Sequence, residues 1–157
     1  MKSREPFERL HIDITGPHPR SRRGNVYILT VSDAFSRWVE AFPLPNHEAS
    51  TIARVLTEQV FCWFGTPITL LSDRGRDVDG VLMWRVCEIL GVDKLRTTAY
   101  KPSTNAAIER FHRTLNAMLA KAVASYHRNW DTALPYVTFW QHIEALDMKL
   151  QAILRIC

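Results

Sequence analysis

Up to about residue 43, polar and apolar positions change with a period of two. In residues 8 to 15, Leu10, Ile12 and Ile14 fall on one side and His11, Asp13 and Thr15 on the other, the pattern of a half-buried strand. The next segment, GPHPRSRRGN, holds two prolines, two glycines and three arginines, and reads as a loop. Residues 25 to 32 (NVYILTVS) and 37 to 43 (RWVEAFP) are further strands, rich in β-branched and aromatic side chains. The DAFS turn between them is short enough for a hairpin, with Asp33 expected to cap it. Three sequential strands with tight connections predict an antiparallel meander.

The period then lengthens. From about 47 to 64, Ile52, Val55, Leu56, Val60 and Trp63 recur at helical spacing, and Gly65 with Pro67 ends that helix. ITLLS (68–72) is a short apolar run suited to a buried parallel strand. A second helix is expected over 79–90 through Leu82, Val86, Ile89 and Leu90, with Asp77 and Asp79 at its start. KLRTTAY is a weaker fifth strand. A long helix follows over about 104–127 with Ile108, Phe111, Leu115, Met118 and Ala122 on one face. A final amphipathic stretch carries Leu134, Val137, Ile143, Leu146, Leu150 and Ile153. The order βββ-α-β-α-β-α-α, with right-handed crossovers, predicts an α/β fold with a mixed five-stranded sheet flanked by helices on both sides.

Composition narrows the field of functions. A chain of 157 residues, 46% hydrophobic and 23% charged, is long enough to bury a core. No apolar stretch approaches the roughly 18 residues that span a membrane. No cationic start leads into an apolar core and cleavage site, so secretion is not indicated. Cys62, Cys87 and Cys157 are widely spaced and form no CxxC pair, which argues against a disulfide framework or zinc knuckle; Cys62 and Cys87 are expected as small buried groups. The net charge of +4 favours an acidic partner only mildly. The clustering of arginine adds to it: Arg20, Arg22 and Arg23; Arg74 and Arg76 around Asp73; Arg110 and Arg113 around Glu109. For HPRSRRGN alone, an ordinary solvated surface is the simpler reading.

Three acids stand where acids are costly or conspicuous. Asp13 interrupts the first strand, Asp73 closes PITLLSD, and Glu109 lies in the long helix, with residues 74 through 108 between the last two. Asp73 follows a parallel strand at the carboxyl edge, where open α/β sheets bind ligands. If the first and fourth strands are neighbours, the two aspartates approach each other and require a shared cation. Asn105, Glu109, His112 and Asn116 form one polar stripe beside the apolar face of their helix, so packing by that face could turn Glu109 toward the aspartates; taken alone, Glu109 reads as an ordinary solvated helix residue. Oxygen donors of this kind suit Mg²⁺ or Mn²⁺. His112 is expected as a phosphate contact or surface residue. Spacing alone leaves a metal-dependent nuclease or transferase and a plain α/β domain both open.

The segments HIDITGP, VSDAFSRWVEAFPL, FGTPITLLSDRG, YKPSTNAAIERFHRTL and WDTALPYV, in this order, resemble the catalytic core of retroviral and gypsy-type LTR-retrotransposon integrases. The resemblance runs from about residue 5 to 139 and implies an RNase H-like fold. It implies that Asp13, Asp73 and Glu109 are catalytic residues that bind Mg²⁺ or Mn²⁺, and that Lys101, Asn105, Arg110 and Arg113 contact DNA. The implied chemistry is trimming of element DNA 3′ ends by water, then attack of the 3′-hydroxyl on target DNA, with no covalent protein intermediate. A homo-oligomer acting in the nucleus, with no membrane partner, is implied as well.

This chain departs from the family at several points. Asn105 is followed by Ala106 where the family usually has glycine, which stiffens the loop and lowers the expected activity. Asp77 and Val78 replace the usual Glu-Phe. From Trp140 the resemblance fades into WQHIEALDMKLQAILRIC, so residues 140–157 are expected as a divergent amphipathic tail beyond a core of 5–139. Neither the family's zinc-binding domain nor its DNA-binding carboxyl-terminal domain is recognised. A truncated element-derived product, for which complete integration is not expected, is the reading these departures favour. The alternative is a non-catalytic domain of the same origin that binds nucleic acid or protein. A cellular ribonuclease H or another DDE transposase fits the flanking motifs less well.

Overall fold

The computed structural model describes residues 5–33, 35–72, 81–96 and 106–156. Strands β1 (Arg9–Thr15), β2 (Tyr27–Asp33) and β3 (Val39–Leu44) form the expected antiparallel meander. Helix α1 (Ala49–Leu56) continues through a π turn (Thr57–Phe61) into a short α2 (Cys62–Phe64). Then follow β4 (Thr69–Ser72), α3 (Val81–Leu90), β5 (Asp93–Arg96), α4 (Ala106–Tyr126), a 3₁₀ turn at His127–Asn129, and α5 (Trp130–Ile156). The sheet order is β3-β2-β1-β4-β5, with β1, β4 and β5 parallel to one another. Both crossover connections run through helices, as parallel pairing requires.

Burial follows the alternation along the strands. Leu10 and Ile12 of β1, Leu29 and Val31 of β2, and Leu70 of β4 pack with Ile52 and Leu56 of α1 and Met83 and Cys87 of α3. Ile28 of β2 and Val39 and Ala41 of β3 point the other way, against Leu115, Leu119 and Val123 of α4 and Trp130 and Leu134 of α5. Strand β2 is thus covered on both faces, which explains its unbroken burial from Ile28 to Asp33. Asp33 closes the β2–β3 turn as expected: its Oδ2 accepts from the Ser36 backbone N–H at 2.9 Å and from Ser36 Oγ at 2.6 Å.

Three apolar assignments shift. Trp63 is 76% exposed and Cys62 is exposed, while Phe61 is buried. The π turn adds a residue to one helical turn and rotates everything after it out of the 3.6 period. In α3, Leu82 and Ile89 (78%) are exposed; Met83 and Cys87, one turn apart, take the buried stripe, with Val86 and Leu90 half-buried beside it. In the last stretch, Leu134 is buried and Val137 half-buried, but Ile143, Leu146 and Leu150 are exposed. Strand β5 begins at Asp93; the expected continuation over residues 97–100 lies outside the described residues, as do Asp77 and Asp79.

Strand β3 is an edge of the sheet, and α5 covers it. His142 Nε2 lies 2.8 Å from the Val39 carbonyl oxygen, and its ring stacks on Trp38 at 6.4 Å between centroids. Beyond His142, all the described side chains of α5 are exposed. Among the described residues, no helix is long and apolar enough to cross a membrane.

Candidate functional site

Asp13 sits in β1 opposite Thr30, which in turn lies opposite Ala41. Paired residues share a face, so Asp13 belongs to the α4–α5 side, in one row with a buried alanine of that side's core. Its carboxylate is half-buried, and Oδ1 accepts from the Ile14 backbone N–H at 2.9 Å. Thr30 Oγ1 donates to the Asp13 carbonyl at 3.3 Å. The acid is therefore fixed by its ladder with β2, one residue past the end of the ladder with β4.

The parallel ladder of β1 and β4 ends with Ile12 opposite Ser72, the residues immediately before Asp13 and Asp73 in sequence. Asp73 itself lies outside the described residues. Glu109 belongs to the first turns of α4, whose backbone is described there while its side chain is not. The helix is held against the Asp13 side of the sheet by Leu115, Leu119 and Val123. Asn116, on the same predicted polar stripe as Glu109, is half-buried. Arg110 and Arg113 are exposed; Lys101 and Asn105 lie outside the described residues. Among the described residues, no group of three or more His, Cys, Asp or Glu is gathered in one place.

A second polar centre has no counterpart in the sequence reading. Asp131, buried in the first turn of α5, accepts from Ser21 Oγ at 2.6 Å and from Asn25 Nδ2 at 2.8 Å. Burial acts to raise its pKa. Hydrogen bonds from Ser21, Asn25 and the Thr132 backbone, with Arg23 nearby, outweigh that and hold it below the ordinary value. The same loop is tied down by Trp130 Nε1 donating to the Pro19 carbonyl at 2.6 Å and by the Arg22 N–H donating to the Arg128 carbonyl at 2.8 Å. Gly16 opens it at φ +133°, where an added Cβ would stand 2.8 Å from the Tyr27 ring and from the Val26 carbonyl. The loop's own spacing gave no hint of Asp131, because the partners are more than 100 residues apart in sequence.

Two other polar groups frame the sheet. Lys94 is buried in β5, donates to Ser72 Oγ at 2.7 Å and lies over the Trp84 ring at 5.4 Å. Glu40 on β3 has its pKa raised, chiefly by burial, with His142 and Thr138 acting against the rise.

The chain matches the model of the integrase core domain over residues 3–102. It is 32% identical over 140 residues to the Pol polyprotein of Radiation murine leukemia virus (strain Kaplan), a match covering 88% of this chain and 24% of that protein. It is 35% identical over 125 residues to the Gag-Pol polyprotein of Koala retrovirus, covering 79% of this chain and 7% of that one. Against the retrovirus-related Pol polyprotein from transposon 412 of Drosophila melanogaster, identity is 29% over 133 residues, covering 85% of this chain and 11% of that one. The chain thus spans a quarter or less of the length of these relatives. Among solved structures, the catalytic core domain of BIV integrase overlays with a TM-score of 0.63 at 21% identity, covering 92% of this chain and 99% of that one. A chain of the simian T-cell lymphotropic virus intasome, solved with PP2A regulatory subunit B56 gamma, gives 0.69 at 20% identity, covering 88% of this chain and 49% of that one. At such identities, the two overlays speak for the fold alone.

Proposed function

The chain belongs to the integrase core domain family, and from that membership we propose that it is a metal-dependent polynucleotidyl transferase acting on DNA. The observation that carries this reading is the ladder that runs β1 and β4 side by side up to the residue before each aspartate. Asp13, Asp73 and Glu109 would hold one or two Mg²⁺ or Mn²⁺ ions. Three carboxylates are hard oxygen donors and fit such ions. When bound, the ions would lower the pKa of an attacking oxygen and neutralise the leaving one.

The protein's own part is positional. Asp13 is held in the ladder with one carboxylate oxygen fixed by the Ile14 N–H, so little reorganisation is needed on ligation. Arg110 and Arg113, exposed on the Glu109 helix, would hold phosphates near the reacting bond, with Lys101 and Asn105 as further DNA contacts. The substrates are element DNA ends, trimmed at the 3′ side, and target DNA, joined to them. The work is done in the nucleus by a multimer of this chain. Support for the multimer comes from α5, where Phe139, Ile143, Leu146 and Leu150 expose an apolar seam at alternating steps of four, three and four.

The test is strand cleavage and rejoining on a branched DNA substrate with Mg²⁺ or Mn²⁺. Wild type is expected to give metal-dependent product, and Asp13→Asn and Glu109→Gln each to lose it by a factor on the order of 10² or more. Folded wild-type protein that gives no product with either metal would sink the enzymatic reading and leave the non-catalytic domain in its place.

A further inference from the structure

The loop between β1 and β2 carries Arg20, Arg22 and Arg23, all exposed, and no acidic residue between 16 and 25. Its backbone is pinned to the α4–α5 turn at Arg22–Arg128, and Arg128 is exposed as well. Inside the loop, the Ser21 N–H donates to the Asn25 carbonyl at 2.9 Å and the Gly24 N–H to the Ser21 carbonyl at 3.0 Å. Beneath it lies the buried Asp131 centre. The loop also leaves the carboxyl end of the strand that holds Asp13. There Thr15, on the same face as Asp13, is hydrogen-bonded to His18 at 3.1 Å, and the His18 ring meets Trp130 edge-on at 5.6 Å.

An exposed basic loop that serves only solubility needs no such scaffold, because free arginines solvate equally well on a mobile chain. Fixing in advance the backbone that carries these arginines lowers the ordering cost of binding an extended polyanion. The guanidinium fork suits phosphate oxygens. The loop holds no Phe, Tyr, Trp or carboxylate, and its one ring, His18, is engaged with Trp130, which leaves little to stack on a base.

We infer that the β1–β2 loop and Arg128 form a preformed shelf that binds the phosphate backbone of duplex DNA. The inference rests on the reading above only for the choice of DNA as the polyanion.

The experiment measures binding of a short mixed-sequence duplex by fluorescence anisotropy in EDTA across a salt series. It compares Arg22→Gln/Arg23→Gln/Arg128→Gln with a charge-matched control, Arg54→Gln/Arg85→Gln/Arg155→Gln, whose arginines are exposed on other helices. The shelf variant should bind at least about tenfold more weakly at low salt, with a log–log salt slope shallower by about 2–3, and the control should stay near wild type. Equal losses in both variants would reduce the effect to net charge and overturn the shelf. So would an unchanged slope in a folded shelf variant, or a loss confined to an acidic polypeptide probe. Because no metal is present, the result stands apart from the branched-substrate assay. Lost cleavage with a normal shelf slope would fault the enzymatic reading alone.

Discussion

Asp131 shows how one buried carboxylate organises surface chemistry. Its pKa is depressed in the folded state, so it contributes stability above the unfolded value, near 3.9 for aspartate, and that contribution is lost as pH falls through the lower folded value. Asp131→Asn keeps the size but removes the charge that two side-chain donors address. Thermal and urea unfolding near pH 7 should show a loss of about 1–3 kcal/mol. The gap between variant and wild type should narrow once the pH drops well below 4. A constant gap across that range would mean the charge is not what matters. At the same scale, Gly16 is irreplaceable for a different reason: its positive φ and the close Tyr27 ring leave no room for a side chain.

At the level of elements, α4 links the two halves of the candidate site. Its grip on the sheet comes from Leu115 and Leu119, both almost fully buried. Leu119→Ala should cost about 2–5 kcal/mol in chemical denaturation, the usual range for a buried leucine whose cavity collapses only in part. A smaller change would mean that the helix is held elsewhere. Strand identities and the antiparallel meander were legible in the sequence, because period-two alternation and a short apolar run are local signals; that β4 lies beside β1 entered only as a condition, since pairing across a crossover leaves no local signal. The Asp13 position was legible for the same reason: an acid between two isoleucines in a strand contradicts its surroundings. Helix faces were less legible. The π turn after Leu56 displaced Trp63, and α3 buried Met83 and Cys87 instead of Leu82 and Ile89, since the hole to be filled is set by the sheet and α1 rather than by the helix. Asp131 and the buried Lys94 could not be found at all from local pattern, because their partners come from distant segments.

For the molecule as a whole, the two helical layers leave α5 only partly covered. Its first half closes the core with Trp130 and Leu134, and its second half exposes Leu146 (63%) and Leu150 to water. An apolar seam of this length on an otherwise ordinary surface is unusual for a monomer. Leu146→Glu/Leu150→Glu should shift the protein toward monomer in sedimentation while leaving its melting temperature nearly unchanged. A wild-type chain that sediments as a monomer at high concentration would remove the seam from the account of the multimer. The far border of α5 has a further effect. Backbone groups along an open sheet edge are what one folded chain offers another when proteins coalesce into fibrils. On β3 the imidazole of His142 already occupies the carbonyl of Val39, and the opposite border, among the described residues, is a four-residue strand, Asp93-Lys94-Leu95-Arg96, with charge at three positions. With a stopper on one side and a short charged margin on the other, copies of the chain have little means of knitting themselves, edge to edge, into aggregate.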